Sequence, residues 1–309
     1  MFQLLDGGMG TELKKKYSFA NEAEYKQLWS AAPLLNKDGQ DIVKKIHSEY
    51  IECGCNIITT NTYACTQHFL SKHNLQTNQN ELIKIACKLA KEAIVESGKN
   101  IKLAGSIPPL NISYRADLVG NNSEIFSEYS NICKILNDSS VDIFLCETMS
   151  SVREALIAYS AAQKYKKPIY LSFTLSDELV DNKCKLRSGE CIRDIVDNMT
   201  PDAILFNCCK PEIATIALKE IKELTDIPIG IYANSFVSIP DKWELDKEDG
   251  LLERRTDLSI QKYTEFALQW KKLGCNIIGG CCGISVEHMR NVCEGVNGVE
   301  KVVDNILVN

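Results

Sequence analysis

Two pairs of adjacent cysteines, Cys208-Cys209 and Cys281-Cys282, are the residues of this chain best placed to do chemistry. The second pair sits in Gly279-Gly280-Cys281-Cys282-Gly283, directly after the apolar run Asn276-Ile277-Ile278, and the first closes the run Phe206-Asn207. Neighbouring cysteines do not bridge one another easily, and paired free thiols oxidise readily, so the pattern suits sulfurs aimed at one object. Histidine numbers only four, so any transition-metal site must lean on sulfur, which narrows the metal to zinc or something softer. Three thiolates with one open position describe a catalytic zinc site, whereas four protein ligands describe a structural one. Spacing alone leaves open which of Cys208 and Cys209 would join Cys281 and Cys282. Of the fourteen cysteines, ten or eleven read simply as small buried apolar residues, Cys87, Cys133, Cys146 and Cys275 among them.

The elements that would position these sulfurs recur along the chain. Short apolar runs appear at Gln3–Asp6, Asn56–Thr60, Ile101–Ser106, Asp142–Glu147, Pro168–Thr174, Ala203–Cys208, Pro228–Asn234 and Asn276–Gly280. They are near-continuous rather than alternating, as strands covered on both faces should be. Amphipathic stretches lie between them, including Asp41–Cys53, Asn80–Glu96, Ser151–Lys164, Pro211–Leu224 and Ser259–Leu273, with Ser285 as a cap for a last helix Val286–Gly295. Eight such repeats predict an α/β fold, a parallel (β/α)8 barrel of one domain spanning 1–309. An open doubly wound sheet is the alternative, but Asp6-Gly7-Gly8-Met9-Gly10 has the wrong spacing for a dinucleotide fingerprint. Long loops are expected after strands 1, 3, 5 and 7, all on the C-terminal face where barrels carry their sites. There the ends of strands 6 and 8 lie one strand apart, close enough for their sulfurs to meet.

Composition excludes several classes of function. Apolar residues make up 45% and charged residues 25%, ordinary for a globular chain with a sizeable core. A net charge of −6 argues against nucleic acid or an anionic membrane as partner. The N-terminus lacks a basic region and a long apolar stretch, and no run is long enough to span a membrane, so a cytoplasmic location is expected.

Five motifs, taken in order, resemble the homocysteine S-methyltransferase family: Asp6-Gly7-Gly8-Met9-Gly10-Thr11-Glu12-Leu13, Thr59-Thr60-Asn61-Thr62-Tyr63, Cys146-Glu147-Thr148, Asn207-Cys208 and Gly280-Cys281-Cys282-Gly283. The resemblance covers nearly the whole chain and implies a TIM barrel whose Zn2+ is held by Cys208, Cys281 and Cys282, with Cys209 a neighbour and not a ligand. It implies that Glu147 holds the ammonium of an amino-acid substrate, homocysteine, while Asp6 and the amides around Gly7 and Gly8 fix its polar end. Glu147 also suits an ordinary rim position, and Asp6-Gly7-Gly8 a simple turn. Asn61 and Asn207 suit ligand contact or strand-end hydrogen bonding equally. Tyr232-Ala233-Asn234-Ser235 is similar to a Tyr-Pro-Asn stretch of the family, with alanine for proline, and brings Asn234 into the candidate set. His47, inside an amphipathic helix, reads as structural.

The chemistry this implies is alkylation of a thiol near neutral pH. A free thiol has a pKa of about 8.5 and its thiolate is the nucleophile, so an open position on zinc would both bind and activate the substrate sulfur. No side chain is then needed as a catalytic base. The donor would be a cation, a sulfonium or a quaternary ammonium, attracted to an anionic centre. After strand 3 the chain reads Gly105-Ser106-Ile107-Pro108-Pro109-Leu110 and then Ser113-Tyr114-Arg115, where many relatives carry a Gly-Pro-Tyr-Gly-type turn, which touches donor preference. The sequence runs only 26 residues past Gly283, short of the C-terminal extension of betaine-using relatives, which favours S-methylmethionine or S-adenosylmethionine. A monomer or small homo-oligomer is expected. The competing readings are a zinc barrel hydrolase, which lacks the histidines it needs, a catalytically silent zinc- or thiol-binding barrel, and a methyltransferase acting on selenocysteine or selenohomocysteine.

Overall fold

The structure, a computed structural model, describes residues 2–19, 28–240, 242–244 and 252–307, the side chains of 299–307 excepted. Its strands are β1 (Gln3–Leu4), β2 (Ile57–Thr59), β3 (Lys102–Ile107), β4 (Ile143–Met149), β5 (Ile169–Phe173), β6 (Ala203–Asn207), β7 (Ile229–Tyr232) and β8 (Ile277–Ile278). All pair in parallel in the order β1-β8-β7-β6-β5-β4-β3-β2. A parallel bridge from Leu5 to Ile57 joins the two edges, and the Asn56 amide donates to the Leu4 carbonyl at 2.9 Å, so the sheet closes into a barrel. Each run read as a strand from sequence contains one, with ends moved by a residue or two.

Helices pack outside: α1 (Met9–Lys16), α2 (Lys37–Cys53), α3 (Gln67–Ser71), α4 (Gln79–Ser97), α5 (Asn122–Asp138), α6 (Val152–Ala162), α7 (Ile192–Asn198), α8 (Pro211–Lys222), α9 (Ile260–Lys272) and α10 (Val286–Leu307). Their starts follow the local chemistry. The side chains of Asn36, Ser151 and Ser259 accept from the amides of Gly39, Glu154 and Lys262, and Pro211 opens α8 without wasting a donor. Ser285 departs from its expected capping role, because its hydroxyl pairs with Nδ1 of His288 at 2.9 Å. The N-terminus of α10 is met instead by Glu12, whose Oε1 accepts from the Val286 amide at 3.2 Å. Glu12 is buried, which alone would raise its pKa, but Lys16 and Lys15 outweigh burial and hold it low. It belongs to α1, a helix in a stretch expected to be loop. The glycines around it mask the pattern, while the acidic first turn and the Lys14-Lys15-Lys16 last turn match the helix dipole. Among the described residues, no helix is long and apolar enough to cross a membrane.

The barrel interior changes character from bottom to top. Leu5, Ile57, Ala104, Ile143, Leu145, Tyr170, Ala203, Leu205 and Ile277 fill it with a small apolar core separate from the larger core under the helices. Side chains two apart on a strand share a face. The residues that follow these in register, Ser106, Glu147, Ser172 and Asn207, therefore form a polar layer above the apolar one. That layer is buried, and it lies next to the C-terminal rim.

His47 of α2 is fully buried, and neither ring nitrogen has a hydrogen-bond partner among the described residues. Burial pushes its pKa down from 6.5 to about 4. Between these values the unfolded chain binds a proton that the folded chain refuses, so stability present above pH 6.5 is lost as pH falls through about 4. Urea unfolding of wild type should show a loss on the order of 3 kcal/mol from this group across that window. His47→Leu should flatten that part of the curve. An unchanged pH profile in the variant would refute the assignment.

Candidate active site: three sulfurs and two carboxylates on one rim

Cys208 follows the last residue of β6 and takes a left-handed backbone, with φ of 51°. That conformation costs a non-glycine residue about 1–2 kcal/mol, and here it separates the two cysteines of the pair. Cys208 turns toward the rim, while Cys209 packs in the core under the helices. Cys281 and Cys282 follow β8, where the strand has ended and side-chain alternation no longer applies. The three sulfurs of Cys208, Cys281 and Cys282 lie within 4.8 Å of one another, with Cys208 and Cys282 3.7 Å apart. Sulfurs about 2.3 Å from one tetrahedral ion stand about 3.8 Å apart, so the spacing fits shared coordination.

The backbone around them is held from three sides. The Gly280 amide donates to the Asp6 carbonyl, Cys281 to Ala233, and Ser235 to Cys282, each at 2.9 Å. The buried Tyr263 hydroxyl donates to the Gly279 carbonyl at 2.7 Å. The Gly283 amide donates to Thr11 Oγ1 at 2.8 Å. Of the three glycines flanking the pair, only Gly283 has a left-handed φ, 85°. Gly279 and Gly280 are there for close packing against Leu5 and Ile284. Gly8 has the same reason: a Cβ on it would lie 2.6 Å from the Cys281 carbonyl oxygen.

Charge in the trio is unevenly shared. Hydrogen bonds from Cys208 and Cys281 hold the Cys282 thiol well below its ordinary pKa. Burial and the neighbouring sulfur charge push Cys208 up, while hydrogen bonding with Cys208 and Cys282 pushes Cys281 up. Three sulfurs this close cannot all ionise without a cation between them. The donor set therefore fits a thiophilic metal ion. Asn207 supports the arrangement from below. It bonds Thr148 and Ser172 through its amide and brings Nδ2 to 3.9 Å from Cys281 Sγ.

A cavity of about 190 Å³ opens over the trio, lined by Asp6, Gly7, Gly8, Asn61, Glu147 and the three cysteines. Glu147 accepts from the Ser106 hydroxyl and, at 3.4 Å, from Tyr232; burial pushes its pKa up to about 7. Asp6 accepts from the Thr59 amide at 2.8 Å and its hydroxyl at 2.9 Å, yet burial, helped by Glu147, pushes it up to about 8. Three further expected residues play different parts. The Gly8 amide is committed to the Ile284 carbonyl at 2.8 Å. Asn61 lines the cavity but ties its Nδ2 to the Ser30 carbonyl at 2.8 Å. Asn234 lies buried outside the cavity lining, its Oδ1 accepting from the Phe236 amide at 3.2 Å.

Residues to which the sequence assigned no individual role complete the walls. Tyr63, Tyr114, Phe236 and Trp243 give the cavity aromatic faces, with Tyr114 and Trp243 edge to face at 5.3 Å. Arg115 reaches Glu244 at 2.6 Å and Asp117 at 2.8 Å, so the loop after β3 is strapped to the loop after β7. The unusual stretch at Ile112, Ser113 and Tyr114 thus keeps a pocket wall. Its only sequence signal was its departure from the resembling family.

Fold and site together define a (β/α)8 barrel with a three-thiol pocket on its C-terminal rim. A family model for homocysteine S-methyltransferase matches residues 3–296, and the chain belongs to that family. It is 26% identical over 305 residues to Homocysteine S-methyltransferase of Escherichia coli strain K12, covering 90% of each chain. Similarity to Homocysteine S-methyltransferase 4 of Zea mays is 26% over 333 residues, covering 96% of this chain and 90% of the relative. The fold superposes on the crystal structure of homocysteine methyltransferase MmuM from Escherichia coli in its metallated form with a TM-score of 0.74. That match is at 22% identity and covers 94% of this chain and 95% of the other.

Gly283→Ala should expose the constraint on the turn. The backbone strain alone costs about 1–2 kcal/mol, and the added methyl would overlap the Ser235 hydroxyl. Gly98, also left-handed at φ 63° but with nothing near its missing Cβ, is the control. By urea unfolding, Gly283→Ala should cost clearly more than Gly98→Ala. Equal costs would show that the cysteine turn does not need its glycine.

Proposed function

We propose that this protein transfers a methyl group from a sulfonium, S-methylmethionine or S-adenosylmethionine, to the thiol of homocysteine, with Zn2+ held by Cys208, Cys281 and Cys282. The observation that carries the proposal is the convergence of these three sulfurs with Glu147 and Asp6 in one cavity. When bound, the ion supplies the positive charge that keeps a thiol deprotonated near neutral pH. The chain's own residues do the rest.

Glu147 is the receptor for the substrate ammonium: a buried carboxylate that is hard to ionise alone gains most from an arriving cation. Ser106 and Tyr232 fix its orientation. Asp6, held by Thr59, adds a second acceptor at the same end. The aromatic faces of Tyr63, Tyr114 and Trp243 suit a methyl-bearing cation, which is attracted to ring faces yet needs no hydrogen bond. The Arg115–Glu244 strap closes the loops over the centre and limits water. In the reaction the substrate thiolate's electron pair forms the new S–CH3 bond. The donor's S–CH3 bond breaks with its pair staying on the donor sulfur, which leaves as a neutral thioether. Positive and negative charge vanish together, so a dry, low-dielectric site does not penalise the transition state. The cavity lining fits an amino acid and a cationic donor, which a purely zinc-storing barrel would not require.

Zinc-loaded protein should turn over homocysteine with at least one of the two sulfonium donors and not with betaine, measured as methionine formed. Cys281→Ala should lose the rim metal and at least about 100-fold in activity, with its circular dichroism unchanged. A variant that loses the metal but keeps activity would contradict the proposal. So would zinc-loaded wild type that is inert with all three donors.

A further inference from the structure

Among the described residues a second group of three sulfurs meets, at the opposite end of the barrel from the rim. Cys53 ends α2, Gly54 turns with a left-handed φ of 113°, and Cys55 leads into β2. Cys293 of α10 packs against this turn, so close that a Cβ on Gly54 would lie 3.1 Å from its Cβ and 3.4 Å from its sulfur. The three Sγ atoms lie within 4.8 Å of one another, and those of Cys53 and Cys55 are 3.8 Å apart. Thiolates sharing one tetrahedral ion stand about 3.8 Å apart, so the spacing matches the same test that the rim trio passes.

We propose that Cys53, Cys55 and Cys293 form a second binding site for a thiophilic cation of the Zn2+ class. All three belong to the core under the helices, and what sets them apart is the meeting of three sulfurs. The cysteines outside the two trios, Cys87, Cys133 and Cys146 for example, are buried without two sulfur partners and serve as small apolar residues. A left-handed glycine between two cysteines is what lets both sulfurs of a Cys-Gly-Cys turn face a third. Charge also balances. Three thiolates and a divalent ion carry a net −1, and Arg290, one turn before Cys293 on α10, adds positive potential at Cys53. All three residues are buried, Cys53 at 7% exposure the least so, and three protein sulfurs leave one place of a tetrahedral ion to a further ligand. Bound there, the ion ties α10 to the α2–β2 turn and stabilises the fold by mass action. This site stands apart from the methyl-transfer reading, since none of its residues lines the rim cavity.

Elemental analysis of reduced full-length protein, saturated with Zn2+ and freed of excess by gel filtration, tests it. Wild type should hold two equivalents. Cys281→Ser/Cys282→Ser should hold one, and that one should still raise the thermal unfolding midpoint. Cys55→Ser/Cys293→Ser should also hold one and keep methyl transfer. If that variant fails to fold, the rim variant decides alone: a single equivalent in wild type and none in Cys281→Ser/Cys282→Ser would overturn the proposal.

Discussion

Consecutive side chains on an extended strand point to opposite faces, so two adjacent sulfurs can serve one centre only where the strand stops. The rest of the site depends on where β8 stops. The strand is two residues long, and beyond it the chain is held by backbone donors to Asp6 and Ala233 and by the Tyr263 hydroxyl. These bonds come from three different elements, so the position of the cysteine pair is set by barrel closure itself. The same bonds place Asp6 next to the sulfurs, because its carbonyl is one of the acceptors. Cys208 meets the pair from β6 by a different device, its own left-handed backbone.

The second organising feature is a shortage of positive charge. Glu147 and Asp6 are carboxyls held near 7 and 8 by burial, and the three thiols compete for a single negative charge. Each of these groups becomes easier to ionise when a cation arrives. The proposed chemistry brings three: a metal ion to the sulfurs, an ammonium to the carboxylates and a sulfonium against the aromatic walls. Buried groups that are hard to ionise alone gain from an arriving cation, which is what the proposed chemistry supplies.

Much of this was legible in the sequence, for identifiable reasons. All eight strands showed as continuous apolar runs because helices cover them outside and the small core fills them inside. The two cysteine pairs stood out because adjacent cysteines fall at two strand ends, whereas Glu147 and the choice of Cys208 over Cys209 came from the family resemblance alone; the structure adds that Glu147 keeps the two-residue register of Ile143 and Leu145. What stayed hidden depends on contacts remote in sequence. Gly8 looked like a donor of amides, but it is needed for close approach to Cys281, and its amide serves Ile284. Asn234 resembled a ligand residue, yet it lies behind the rim. The Tyr114–Trp243 contact and the Arg115–Glu244 pair join loops more than a hundred residues apart. The Cys53-Gly54-Cys55 turn read as packing because its partner, Cys293, arrives only with the last helix.

The central claim is that Cys208, Cys281 and Cys282 hold one zinc with a position left for the substrate sulfur. The most direct test is zinc K-edge X-ray absorption on Cys55→Ser/Cys293→Ser protein, which among the described residues leaves the rim trio as the one cluster of three sulfurs. The account predicts three sulfurs and one lighter atom around zinc, becoming four sulfurs when homocysteine is added. A first shell dominated by nitrogen or oxygen, or a sulfur count unmoved by homocysteine, would contradict it.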